Sequence, residues 1–159
     1  LFNKVDRMLS GRLYIWGYAL QAITASRDTI LYGATPDHIF TAMNNAAGRK
    51  LGMYTHNQFL EIAVGMGVPS LVIFILFLLY TFRSAHVLFR KRSEDVVSLV
   101  FAVFFLVLLA ANMTEATLLF YRFISSYVFF FLAGWINERS AMSKELLRKK
   151  QKQARTARA

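Results

Sequence analysis

Three stretches of this chain carry almost no charge, and they limit what it can fold into. Residues 64–82 and 96–111 contain no Asp, Glu, Lys or Arg, and 118–136 contains only Arg122, near one end. A helix at the surface of a water-soluble domain alternates apolar and polar faces, whereas these blocks are apolar all round. Each is about 16 to 19 residues long, close to what crosses about 30 Å of hydrocarbon at 1.5 Å per helical residue. The second is short unless it continues through Asn112 and Met113, or tilt and local thinning of the bilayer accommodate it. The blocks predict an all-α membrane protein with three transmembrane helices. The 56% hydrophobic content and mean hydropathy of +0.40 fit that class better than a soluble domain.

Charge sets the expected orientation. The net charge is +10, and the cations gather in two places. Arg83, Arg90, Lys91 and Arg92 lie between the first two blocks; Arg139, Lys144, Arg148, Lys149 and further cations follow the third. Alternating spans put both groups on one side, and the excess of Lys and Arg makes that side cytoplasmic. Residues 1–57 and the short turn at 112–117 then face outward. The basic tail, 137–159, reads as a topology anchor touching anionic lipid, helical near the membrane and frayed beyond. It lacks the aromatic interleaving of a nucleic-acid arm, so no nucleic-acid partner is expected. The chain starts at Leu1 without a signal-peptide pattern, and we expect it to be the C-terminal piece of a longer polytopic bundle. With no cysteine there is no disulfide framework or thiolate metal site in it.

The sequence thus divides into an outer segment with an amphipathic helix (1–57), three transmembrane helices (58–136) and the tail. In the outer segment Val5, Met8, Leu9, Leu13, Ile15, Trp16, Ala19, Leu20 and Ile23 recur at helical spacing. Ser10 is the expected N-cap, with Arg12 in the first turn. A cation there opposes the helix dipole, an arrangement that makes sense beside an anion. Tyr32-Gly33 and Thr35-Pro36-Asp37 read as turns, the second opening a short helix; residues 44–52 read as a loop. Tyr14, Trp16 and Tyr18 are expected in a belt at the membrane surface, with stacking on sugar rings as the other reading. Glu115 and Arg122, seven residues apart, share a face if their turn is helical; they read as a closing ion pair or as substrate contacts.

The ordered set "SGRLYIWGYAL" (10–20), "YGATPDHIF" (32–40) and "THNQFLEIAVGMGVPSL" (55–71) resembles the C-terminal core of the O-antigen ligase and polymerase superfamily. The likeness covers roughly residues 8 to 136. Its specific parts are Gly11-Arg12 followed by Trp16, and His56-Asn57 followed by Leu60-Glu61 and Gly67-Val68-Pro69. One departure lies at residues 29–35, where the family usually carries a Pro and a second Gly. The resemblance implies a bacterial inner-membrane, multi-pass glycosyltransferase with its active site on the periplasmic side. Its donor would be an undecaprenyl-diphosphate-linked glycan, and its acceptor a hydroxyl on a glycolipid, glycan or protein. These motifs do not separate ligases, polymerases and protein O-oligosaccharyltransferases.

The resemblance also implies that Arg12 and His56 are the catalytic residues, and their chemistry agrees. A sugar on a lipid diphosphate is already activated, so the enzyme must neutralise the departing diphosphate and orient or deprotonate the acceptor. Arginine is permanently charged and forked, and histidine titrates near neutrality. No Asp-x-Asp cluster is present, so the expected reaction is metal-independent and needs no cofactor. Asn57 reads as a cap of the first span, with substrate contact second; Glu61 as an orienting partner of His56 or an interfacial residue. Arg27, His38 and Arg49 are candidate diphosphate or glycan contacts on solvated loops, and His86 falls on the cytoplasmic side. The competing reading is a transporter or flippase whose path is lined by His56, Glu61, Glu115 and Arg122.

Overall fold

The computed structural model describes residues 11–51, 54–90, 96–112 and 124–156. Among the described residues every regular element is helical: α1 (Arg12–Ile23), α2 (Arg27–Tyr32), a 3₁₀ turn (Pro36–His38), α3 (Ile39–Ala47), α4 (Gln58–Arg90), α5 (Val96–Ala111) and α6 (Ile124–Thr156). The chain forms two compact units, one of residues 1–75 with 109–126 and one of 76–108 with 127–159.

In the first unit, α1 begins one residue later than expected. Its N-cap is Gly11, at φ 75°, with no side-chain cap; Ser10, Val5, Met8 and Leu9 lie outside the described residues. Ile15, Ala19, Ala22 and Ile23 are the buried positions, whereas Leu20 is 55% exposed. At 100° per residue Leu20 falls about 140° from Ile15, so the buried stripe is narrower than the full apolar set. That stripe packs with Ile39 and Met43 of α3 and with Ala63 and Val64 of α4.

The sequence reading missed α2. Ser26 caps it by accepting from the Thr29 N–H, while the Thr29 hydroxyl accepts from the Ser26 N–H, a reciprocal box that satisfies two otherwise orphaned donors. The expected loop at 44–52 is also shorter. Helix α3 runs on through Ala47 and ends at Gly48, which supplies the left-handed cap at φ 63°. Asn44 then ties the turn: its Oδ1 accepts from the Leu51 N–H at 2.7 Å and its carbonyl from the Arg49 N–H at 3.3 Å.

Helix α4 is broken at Gly67, whose φ of 82° and ψ of 167° are open to glycine alone. Pro69 follows in the first turn of the second half, where its missing N–H costs no helical bond. The break is filled by backbone. The Ala34 N–H donates to the Val64 carbonyl at 2.7 Å. A Cβ on Gly33 would lie 2.5 Å from Gly65 C, and one on Gly67 2.5 Å from Leu31 O. Two glycines thus let two main chains touch.

Within the second unit, side-chain pairs give the helix directions. Phe77 meets Phe130 and Thr81 accepts from Asn137 Nδ2, so α4 runs parallel to α6. Phe105 stacks on Phe129 at 4.8 Å, and Ser98 lies 3.4 Å from Trp135 Nε1, so α5 runs antiparallel to α6. Thr81, Ser84, Ser98 and Ser140 are buried here beside Leu78, Phe105, Phe129 and Ile136, while Leu76, Leu79, Val103, Phe104, Val107 and Phe131 are exposed. By length and composition α4 is able to cross a membrane; α5 is apolar but shorter. The basic tail is not frayed over its described part, because α6 continues unbroken to Thr156. Lys, Glu, Gln, Leu and Ala favour helix, and Glu145 pairs with Lys149 one turn on at 2.8 Å.

Candidate functional site

The His56 turn precedes α4 and is built by its neighbours. His56 takes φ 50°, a left-handed conformation uncommon for a side chain of this size and frequent at functional sites. Thr55, Asn57 and Glu61 beneath it are all buried. Glu61 Oε2 accepts from both the Thr55 hydroxyl and the Thr55 N–H, the latter at 3.2 Å. Asn57 Oδ1 accepts from the N–H groups of Phe59 and Leu60 at 3.0 and 3.2 Å, the N-cap that its position predicts. The Gln58 N–H donates to the Asn112 carbonyl at 3.1 Å, tying the start of α4 to the end of α5. Glu61 Oε1 is buried with no hydrogen-bond partner among the described residues. His56 lies within electrostatic reach of that carboxylate.

Helix α1 reaches the same turn. Trp16 Nε1 donates to the Thr55 carbonyl at 2.9 Å. Of the three residues expected in a surface belt, Trp16 thus spends its indole N–H on the main chain next to His56, while Tyr14 is 52% exposed. Arg12 stands one helical turn before Trp16, and residues four apart share a helix face. Trp16 thus meets the His56 segment from some 40 residues away in sequence, and Arg12 lies about 40° from it round the helix axis. Both Arg12 and His56 are partly exposed.

The other candidates fall elsewhere. Arg27 opens α2 and is exposed; His38 ends the 3₁₀ turn, exposed, with its Nδ1 3.2 Å from Thr35 Oγ1. Glu115 and Arg122 lie outside the described residues. Thr55 was missed in the sequence, although it stands in the quoted motif beside His56; its burial with Glu61 depends on the fold. The close approach of Gly33 and Gly67 was missed as well.

The class defined by these observations is coarse: an all-helical protein, over its described residues, with a long apolar helix and a polar turn at that helix's start. Comparison with family models, with curated proteins and with solved structures returns no match for this chain.

Proposed function

We propose that this chain is the C-terminal core of a bacterial inner-membrane glycosyltransferase of the O-antigen ligase and polymerase type. The observation that carries the reading is the Trp16–Thr55 hydrogen bond, which draws the Arg12 face of α1 to the His56 turn. In the reaction, an acceptor hydroxyl oxygen bonds to the anomeric carbon while the bond from that carbon to the diphosphate oxygen breaks. Arg12 neutralises the charge gathering on the departing undecaprenyl diphosphate with paired hydrogen bonds. His56 orients the hydroxyl and takes its proton. Glu61, held by Thr55, fixes the carboxylate side of the His56 turn. The permanent charge of Arg12 does here what a divalent cation does in metal-dependent transferases.

The multi-pass membrane setting is supported by the large apolar side chains exposed on the second unit. With hydroxyls buried between its helices, they suit a bundle solvated by lipid or by further helices. The up-down-up directions of α4, α5 and α6 accord with three spans. In this topology the 83–92 link and the tail are cytoplasmic, and the His56 turn is periplasmic. Cysteine labelling of intact cells is expected to modify a cysteine placed at position 45 and spare those at 91 and 150. Labelling in the reverse pattern would overturn both the orientation and the site.

The break in α4 favours the transporter reading to a degree, since transporters bind substrate at interrupted helices. Here, though, the break is occupied by backbone of residues 31–34. Deleting the full-length gene separates the two readings. A transferase defect leaves lipid-linked glycan at the outer leaflet, whereas a transport defect holds it at the cytoplasmic face. Among transferases, a ligase defect leaves the acceptor bare, and a polymerase defect leaves it with single repeat units.

A further inference from the structure

A cavity of about 400 Å³ lies beside α1, lined by Gly11, Tyr14, Ile15, Tyr18, Arg49, Lys50 and Leu51. Positions two apart on a helix are about 200° apart around its axis. Tyr14 and Tyr18 therefore stand about 120° to 160° round α1 from Arg12 and Trp16, and neither Arg12 nor Trp16 lines the cavity. The volume falls within the range of about 300–1,000 Å³ usual for small-molecule sites. Its chemistry is specific. Two cations and no carboxylate line it among the described residues. The cations are carried on a turn pinned by Asn44 through the Leu51 and Arg49 N–H groups. That pinning reduces the ordering entropy a ligand must offset. The two phenols supply flat apolar faces with a polar tip; Tyr14 is 52% exposed and Tyr18 packs partly on the core.

We infer that this cavity is a binding subsite for an acidic sugar, one that bears a phosphate or a carboxylate. Arg49 and Lys50 hold the anionic substituent, Arg49 through its planar fork. Tyr14 and Tyr18 lie against the apolar face of the ring and offer hydroxyls to its edge. Assigning that sugar to the acceptor, with the donor on the Arg12 side, rests on the transferase reading; the binding itself does not.

The test uses the full-length protein in detergent, with glucose 6-phosphate as probe and saturation-transfer NMR or titration as readout. Glucose 6-phosphate is expected to bind at least about tenfold tighter than glucose and than glycerol 3-phosphate, since both halves of the ligand are recognised. The exposed pair Arg49→Gln/Lys50→Gln should weaken it by about tenfold or more, and Tyr14→Leu/Tyr18→Leu should reduce saturation of the ring protons. Arg49→Lys, which keeps the charge but not the fork, should weaken binding less than the double variant, and an unchanged thermal unfolding of the double variant controls for misfolding. Arg12→Lys and His56→Ala leave it within about twofold, since neither residue lines the cavity. Unchanged binding in the Arg49/Lys50 double variant overturns the inference. So does equal affinity for glycerol 3-phosphate, which would assign the cavity to a lipid headgroup or free phosphate. Loss of binding in Arg12→Lys would merge the cavity with the Arg12 site and overturn it too. Should Arg12→Lys instead keep full transfer activity while the Arg49/Lys50 variant loses the probe, the transferase assignment falls and the subsite stands.

Discussion

Replacing Arg12 with lysine is expected to remove most of the glycan transfer activity although the charge is kept. A diphosphate presents oxygens that match the parallel N–H groups of a guanidinium, and an ammonium meets them only as a point charge. The loss should appear in kcat more than in KM, because the charge on the leaving oxygen is greater in the transition state than in the bound donor. His56→Ala is expected to cost a factor of about 10² to 10⁴, the usual contribution of a positioned acid–base group. Both variants should accumulate normally, since each side chain is partly exposed and neither belongs to the buried core. The check is transfer from purified lipid-linked donor, with protein level measured alongside. A fully active Arg12→Lys enzyme would sink the mechanism.

The second large effect is expected from alanine at Gly67. The residue stands at φ 82°, and its new Cβ would meet Leu31 O at 2.5 Å and Tyr32 N at 2.9 Å. Both obstacles are backbone, so neither can rotate aside. Strain at a glycine-only dihedral costs about 1–3 kcal/mol before any clash is counted. With the clash, we expect a loss on the order of 3 kcal/mol or more, enough to separate the 31–34 strip from α4. Thermal unfolding in detergent and proteolysis of the outer segment are the measurements. Gly33→Ala should do much the same, and the double variant should cost less than the sum, since one contact is lost in both. Gly17→Ala is the control: nothing lies within 4 Å of its added carbon, and alanine in a helix interior stabilises by about 0.5–1 kcal/mol. If Gly67→Ala unfolds like Gly17→Ala, the interlocking of the two main chains is wrong.

What could be read beforehand follows the range of the forces involved. The apolar blocks, the cap at Asn57 and the turn at Pro36 depend on residues within a few positions, and all were legible. The capping pair Ser26 and Thr29 is equally local and was overlooked among turn residues. Gly67 was not legible as a break, because an apolar run of this length reads as one span whether or not its backbone is continuous. Only residues 31–34, brought in from another segment, show why the dihedral is needed there. The same limit applies to Trp16. Its spacing placed it on α1, but nothing local revealed that its N–H would meet Thr55. Arg49 read as a possible glycan contact and Tyr14 and Tyr18 as belt or sugar-stacking residues, but only folding gathers them with Lys50 round one cavity.

The unbroken length of α6 changes the meaning of the basic tail. About 20 residues of helix follow Ile136, which is about 30 Å of rod at 1.5 Å per residue. A slack tail would let every cation settle on the lipid surface. A stiff one acts as a strut, and its far end stands beyond the Debye length of about 8 Å from the headgroups if it leaves the membrane upright. In the proposed topology Arg139 and Lys144 then stay near the membrane, while Lys152 and Arg155 are held at arm's length from it, out of reach of its headgroups.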